Sequence, residues 1–311
     1  MTFSLASLDY QGQIHAALKQ DDNFWLLAGA EELGLTIPAS LIEVVKDWDN
    51  TFPVLKAIAS AAAEGRLAKK YAIHETEACL ALPLQYPRKV FCTGANYADH
   101  LEEMGVVIEK DHENGPFFYL KPASSSLVGP GDSVHIPSGC NYFDWEAEMV
   151  VVFGRSGRDI SVERALDYVA AYTLGVDFTA RDQMETTGPF KFDFTLGKCQ
   201  DRTAPIGPVL VPKEFIDGEN IFFQLDVNGE RKQSTSTANM TYSLAEQIAG
   251  ISKRVLIEAG DILFTGSPAG VGFARGERLK IGDKVAVAAE SIGVLEVVIQ
   301  PPLSQNVTLA A

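Results

Sequence analysis

The sequence predicts an α+β fold, mainly β, with a small α/β unit at the N-terminus. Short runs of β-branched and apolar residues, bounded by Gly, Pro or Asn, recur along the chain. Asn228-Gly229, between hairpin arms at 221–227 and 231–234, is a strong hairpin signal because both residues accept positive φ. Helical spacing is confined to a few segments: 38–48, 53–64, 97–104, 162–169 and 243–255.

Length and charge narrow the function before any motif does. The chain has 311 residues, 46% hydrophobic and 22% charged, which suits one large domain or two smaller ones. A net charge of −15 argues against nucleic acid or an anionic membrane as partner. No run of about 18 apolar residues occurs, so nothing reads as a membrane span. The start, Met1-Thr2-Phe3-Ser4-Leu5, has no basic n-region, and a cytoplasmic protein is the expectation. Cys79, Cys92, Cys140 and Cys199 are scattered without a C-x-x-C and read as reduced thiols.

In chain order, 3–9, 13–18 and 23–27 read as strands, the first two around Tyr10-Gln11-Gly12. Helices follow at 38–48 and 53–64, the second ending at Gly65. His15 and His74 read as structural or solvated. Pro83 and Pro87 bracket a linker, so a domain boundary is expected there. The run 89–94 reads as a buried strand. Asn96 reads as the N-cap of a helix over 97–104 that sets His100 and Glu103 on one face. A carboxylate that holds an imidazole fixes its tautomer and raises its basicity, although an incidental surface pair is the competing reading. The polar stretch 105–115, with Glu109, Lys110, Asp111, His112, Glu113 and Asn114, reads as a loop able to close over a site, or as a plain exposed loop.

Phe143-Asp144-Trp145-Glu146-Ala147-Glu148 then leads into Met149-Val150-Val151-Val152-Phe153. On one continuous strand, alternation places Asp144, Glu146 and Glu148 on one face. Like charges entering a core repel and lose hydration. A divalent cation removes that cost, and oxygen ligands suit Mg²⁺, Mn²⁺ or Ca²⁺. A solvated edge strand is the competing reading. A strand over 171–179 ends near Asp177, a candidate third ligand. Arg181 is a candidate clamp for a substrate carboxylate, or an internal partner of Asp182 or Glu185. Residues 183–197 read as irregular and 204–208 as a turn. Lys198, after Gly197, is placed to stabilise a developing enolate or oxyanion. Ser243 and Glu246 form a capping box. A strand at 262–265 opens into Gly266-Ser267-Pro268-Ala269-Gly270-Val271-Gly272, which is not a P-loop, because no Gly-Lys-Ser/Thr follows and no helix pattern begins there. Strands at 284–289 and 293–298 end the fold.

From about residue 89 to 298 the chain resembles the fumarylacetoacetate hydrolase superfamily. The residues that carry the likeness are Asn96-Tyr97-x-x-His100-x-x-Glu103, Lys121-Pro122-x-Ser124-Ser125, Glu146-x-Glu148, Asp177-x-Thr179-Ala180-Arg181-Asp182, Gly197-Lys198, Val227-Asn228-Gly229-Glu230 and Thr265-Gly266-x-Pro268-Ala269-Gly270-Val271-Gly272. The resemblance implies a mixed β-sandwich roll over 84–303, a variable N-terminal domain over 1–83, a tail over 304–311, and a homodimer. It implies Mg²⁺ or Mn²⁺, with Ca²⁺ also admissible, on Glu146, Glu148 and Asp177. It implies catalysis by His100, Glu103 and Lys198, with substrate contacts from Arg181, Tyr119, Ser267 and Gly266. The leading expectation is hydrolysis of a C–C bond in an acylpyruvate-like 2,4-dioxo acid through an enolate held by the metal. The alternatives are a 2-oxo-acid decarboxylase or isomerase of oxaloacetate or 2-oxo-hept-3-ene-dioate type, and a keto-deoxy sugar acid hydrolase or dehydratase. A module that binds Ca²⁺ for structure alone is the non-enzymatic rival. Met184 departs from the Gln common at its position, Ser267 from a Thr, and Cys199-Gln200-Asp201 from a Phe-Asp.

Overall fold

The computed structural model describes residues 2–105, 109–111 and 113–303. The expected tail, residues 106–108 and His112 of the expected 105–115 loop lie outside the described residues. The architecture is α+β and mainly β, as the sequence predicts.

One large mixed sheet dominates. Its order is Ala72–His74, Asn23–Leu26, Gln13–Gln20, Ser4–Tyr10, Ala204–Pro212, Val169–Val176, Ala147–Phe153, Ile262–Phe264, Val90–Thr93 and Phe118–Lys121. Leu80–Ala81 and Leu127–Val128 pair off this path. A five-stranded sheet runs Glu230–Ser236, Phe222–Val227, Lys284–Ala289, Gly293–Gln300, Ser133–His135. Phe143–Asp144 and Thr179–Ala180 form a two-stranded ribbon. The N-terminal strands join the large sheet through Leu5 opposite Leu210. One apolar cluster packs Leu5, Val45 and Trp48 with Val150, Val152 and Phe264. We keep 83–84 as a proposed boundary between folding units.

The central strands, Ala147–Phe153 and Val169–Val176, are buried along their whole length, which matches their unbroken apolar runs. The hairpin turn carries Asn228 at φ 52° and Gly229 at φ 80°, the left-handed pair such a turn requires. Leu244–Ser252 is a helix whose capping box is complete: Glu246 N donates to Ser243 Oγ at 3.2 Å, and Ser243 N donates to Glu246 Oε2 at 2.9 Å.

Several elements differ from expectation. The strand expected over 143–153 breaks at Trp145-Glu146, because Ala147 N donates to the Gln233 side chain at 2.9 Å and Phe143–Asp144 pairs elsewhere. The helix expected from 53 begins at Trp48 and carries Pro53 within it. Asn96 is not an N-cap. It donates to the carbonyls of Tyr242 and Thr265 and accepts from Tyr242 N, so it ties three segments together. Residues 162–168 are 3₁₀ rather than α. Short helices occupy Arg181–Met184 and Phe194–Lys198, the latter capped by Asp193, where irregular chain was expected. The turn expected at 204–208 belongs to a nine-residue strand, and a short helix, Gly272–Arg275, begins where none was expected.

Replacing Ser243 by Ala removes one half of the capping box. Thermal unfolding should show a loss of about 1 kcal/mol, or roughly 2 °C in Tm.

Candidate metal centre and its His–Glu pair

Sheet register builds the acidic cluster. Ala147 lies opposite Val176 and Glu148 opposite Gly175. Continuing that ladder by one residue sets Glu146 against Asp177, and Asp177 N donates to Glu146 O at 2.8 Å. Glu148 is two residues from Glu146, so all three carboxylates face the same way. One oxygen from each of Glu146, Glu148 and Asp177 lies within 4.8 Å of the others, and all three residues are buried.

Three cations surround the cluster. Lys198 Nζ sits 2.5 Å from Glu146 Oε2 and 2.8 Å from Asp177 Oδ2. Lys121 Nζ is 2.6 Å from Asp177 Oδ1 and also donates to the carbonyl of Lys198. Arg181 Nη2 is 2.5 Å from Glu146 Oε1, while its Nε is 2.9 Å from Asp144 Oδ2. Tyr119 donates its hydroxyl to Asp177 Oδ2. Burial raises Asp177, but Lys121 and Lys198 outweigh it and hold the carboxyl at about 2. Burial likewise raises Glu146, and Lys198 and Arg181 bring it below its usual range.

Glu148 is the exception. Among the described residues no basic side chain reaches it; its bond is from Gly266 N, 2.6 Å from Oε2. Burial, then Asp177 and Glu146, push it well above the carboxylate range. A buried carboxylate without a cation, facing two others, fits a divalent ion, and an all-oxygen donor set suits Mg²⁺ or Mn²⁺.

His100 and Glu103 lie on the helix Ala98–Glu103, with His100 Nδ1 2.9 Å from Glu103 Oε1. Burial raises Glu103, but the His100 bond and the N–H of Gly270 more than reverse it, so the carboxylate is ionised. An ionised carboxylate only accepts, so Nδ1 carries the hydrogen, and in the neutral imidazole the other ring nitrogen is then the acceptor. When protonated, His100 lies close enough to Glu146 to favour its ionised form.

Some expected roles change. Arg181 gives Nε and Nη2 to Asp144 and Glu146 as an internal brace, rather than to Asp182 or Glu185, and its contact with substrate stays a proposal. The Gly266 N–H, expected on substrate, goes to Glu148. Ser267 Oγ accepts from Gln233 Nε2 at 2.9 Å and stays buried. Asp144 shares the acidic stretch but not the cluster. Gly197 is glycine because Met184 lies on it: an added Cβ would sit 1.7 Å from Met184 Cγ. Lys121 was missed as a site residue. Its two-residue spacing from Tyr119 on one strand was the available signal.

Four likenesses bear on this site. The family model described as fumarylacetoacetate (FAA) hydrolase, C-terminal, matches residues 89–300. The chain is 39% identical over 226 residues to a mitochondrial oxaloacetate tautomerase of Rattus norvegicus, covering 72% of this chain and 70% of that one. It is 38% identical over 274 residues to an oxaloacetate tautomerase of Bacillus subtilis, covering 84% and 86%. A solved fumarylpyruvate hydrolase from Pseudomonas aeruginosa, in complex with Mn²⁺ and pyruvate, is similar at TM-score 0.63 and 32% identity, covering 71% of this chain and 91% of that one. No helix among the described residues is long and apolar enough to cross a membrane.

A raised carboxyl binds a proton that the unfolded chain releases, so without metal Glu148 costs stability above its unfolded range, and more as pH rises. In chelator at neutral pH, Glu148→Gln should therefore raise stability. The same variant should weaken Mn²⁺ binding by about tenfold or more. Thermal scans and calorimetric titration read the two effects.

Proposed function

The chain belongs to the fumarylacetoacetate hydrolase family, and from that premise we propose a divalent-metal-dependent enzyme that interconverts the keto and enol forms of an oxaloacetate-like 2-oxo dicarboxylic acid. The observation that carries this reading is an acidic cluster fit for one cation with the imidazole of His100, oriented by its own carboxylate, close by. The names of relatives that match most of this chain support the substrate class. C–C hydrolysis, the leading expectation from sequence, becomes the second reading.

Enolisation needs one proton removed from C3 of the acid and one supplied to the oxygen at C2. The unprotonated nitrogen of His100 accepts the C3 proton while Glu103 holds Nδ1–H and stabilises the imidazolium. The same nitrogen then returns the proton to the C2 oxygen, so one group serves both half-reactions. Lys198 balances the negative charge that gathers on oxygen. Glu146, Glu148 and Asp177 would hold a divalent ion, which would supply Lewis acidity. The His–Glu pair also favours the second reading, since it is equally suited to deprotonate a water that attacks a distal carbonyl.

The enol form of oxaloacetate absorbs in the ultraviolet, and its decay measures the rate. Chelation should abolish turnover and Mn²⁺ restore it. His100→Ala should lower the rate about 10²-fold or more. Full activity in chelator, or in His100→Ala, contradicts the mechanism. Faster acid release from acetylpyruvate than enol decay would select hydrolysis.

A further inference from the structure

Residues 266–273 direct a run of backbone N–H groups at carboxylates. Gly266 N donates to Glu148 Oε2 at 2.6 Å. Ala269 N donates to Asp99 Oδ1 at 3.3 Å. Gly270 N lies 3.0 and 2.9 Å from the two Glu103 oxygens, and Val271 N lies 3.4 Å from Oε1. Gly272 N and Phe273 N donate to Asp144 Oδ1 and Oδ2 at 2.7 and 3.1 Å. The acceptors come from separate parts of the fold: a ligand on Ala147–Phe153, the helix of His100, and the ribbon Phe143–Asp144.

Neutral amides meet Glu148 and Glu103 without drawing a cation from the cluster, whereas Asp144 also takes Arg181. Asp144 closes the far end. Its four partners, Trp145 N, Gly272 N, Phe273 N and Arg181 Nε, are all donors, which only a carboxylate can accept. Arg181 then reaches Glu146, so Asp144 connects the loop to the cluster. Gly270 has φ 105°, and a Cβ there would lie 2.1 Å from the carbonyl oxygen of Lys232, so the chain can pass only as glycine.

We propose that residues 266–273 are a clasp that fixes the His100–Glu103 pair relative to the cation-binding carboxylates, with Asp144 as the positioning residue at its end. The proposal rests on the catalytic reading of that pair. It is tested with Asp144→Asn, which puts an NH₂ group against two donors, and with Gly270→Ala, which breaks the bond to Glu103. Hydrogen exchange of the 266–273 amides and calorimetric Mn²⁺ affinity are read alongside kcat and KM for enol oxaloacetate at saturating Mn²⁺. Expected for both variants is amide exchange about tenfold faster or more. kcat should fall about 10²-fold with KM and Mn²⁺ affinity within about threefold, because the pair is displaced while the ligand strands stay paired. Should Asp144→Asn not fold, Gly272→Ala replaces it, its methyl meeting Asp144 Oδ1 at 2.8 Å. Unchanged exchange in folded variants overturns the clasp, as does faster exchange with kcat kept. If the wild type leaves oxaloacetate untouched, the substrate assignment fails, while exchange at 266–273 still decides the clasp.

Discussion

The site depends on an electrostatic constraint imposed by sheet register. Once Ala147 pairs with Val176, Glu146 and Asp177 must face each other, and Glu148 must join them. Their mutual repulsion in a buried setting has to be offset by something specific. Lys121, Lys198 and Arg181 discharge two of the three carboxylates, and the third, Glu148, is left to an amide. Glu148 is thus the carboxylate of the cluster that no basic side chain meets among the described residues. A site made only to hold the fold together would gain by pairing that last carboxylate with a side chain, as Asp261 is paired with Lys89 at 2.8 Å.

Around this cluster the protein uses two kinds of positive partner for different ends. Full cations lie on Glu146 and Asp177 and are largely buried, so their pairing energy is little screened by solvent. Backbone N–H groups serve Glu103, Glu148 and, together with Arg181, Asp144. This division keeps the imidazole partner ionised without placing a competing charge beside it. It also explains why a chain of net charge −15 can bury several acids in one region. The family relationship and the tautomerase relatives are consistent with a site built for an enolate, whose charge would meet Lys198.

Much of this was readable from residue order. Long apolar runs marked the central strands, Asn-Gly marked the hairpin, and spacing of three put His100 beside Glu103. Alternation grouped Glu146 with Glu148, but it wrongly included Asp144, because a strand break at Trp145 turns that side chain toward Gly272 and Phe273. Arg181 suggested a free clamp because sequence cannot reveal how many internal acceptors surround a guanidinium. Asn96 suggested a helix cap, whereas distant backbone groups on Thr265 and Tyr242 claim its amide. Local pattern specified elements and faces. Pairings across 100 residues or more, which assign each polar atom its partner, needed the fold. The hydrolase expectation came from the same limit: a His–Glu pair serves several reactions, and the choice among them lies in the distal groups of the substrate.

The most direct test is anomalous diffraction from crystals soaked in Mn²⁺. The account predicts one peak per chain, about 2.0–2.4 Å from an oxygen of each of Glu146, Glu148 and Asp177. A peak held by other residues, or no peak at Mn²⁺ levels that support turnover, would contradict it.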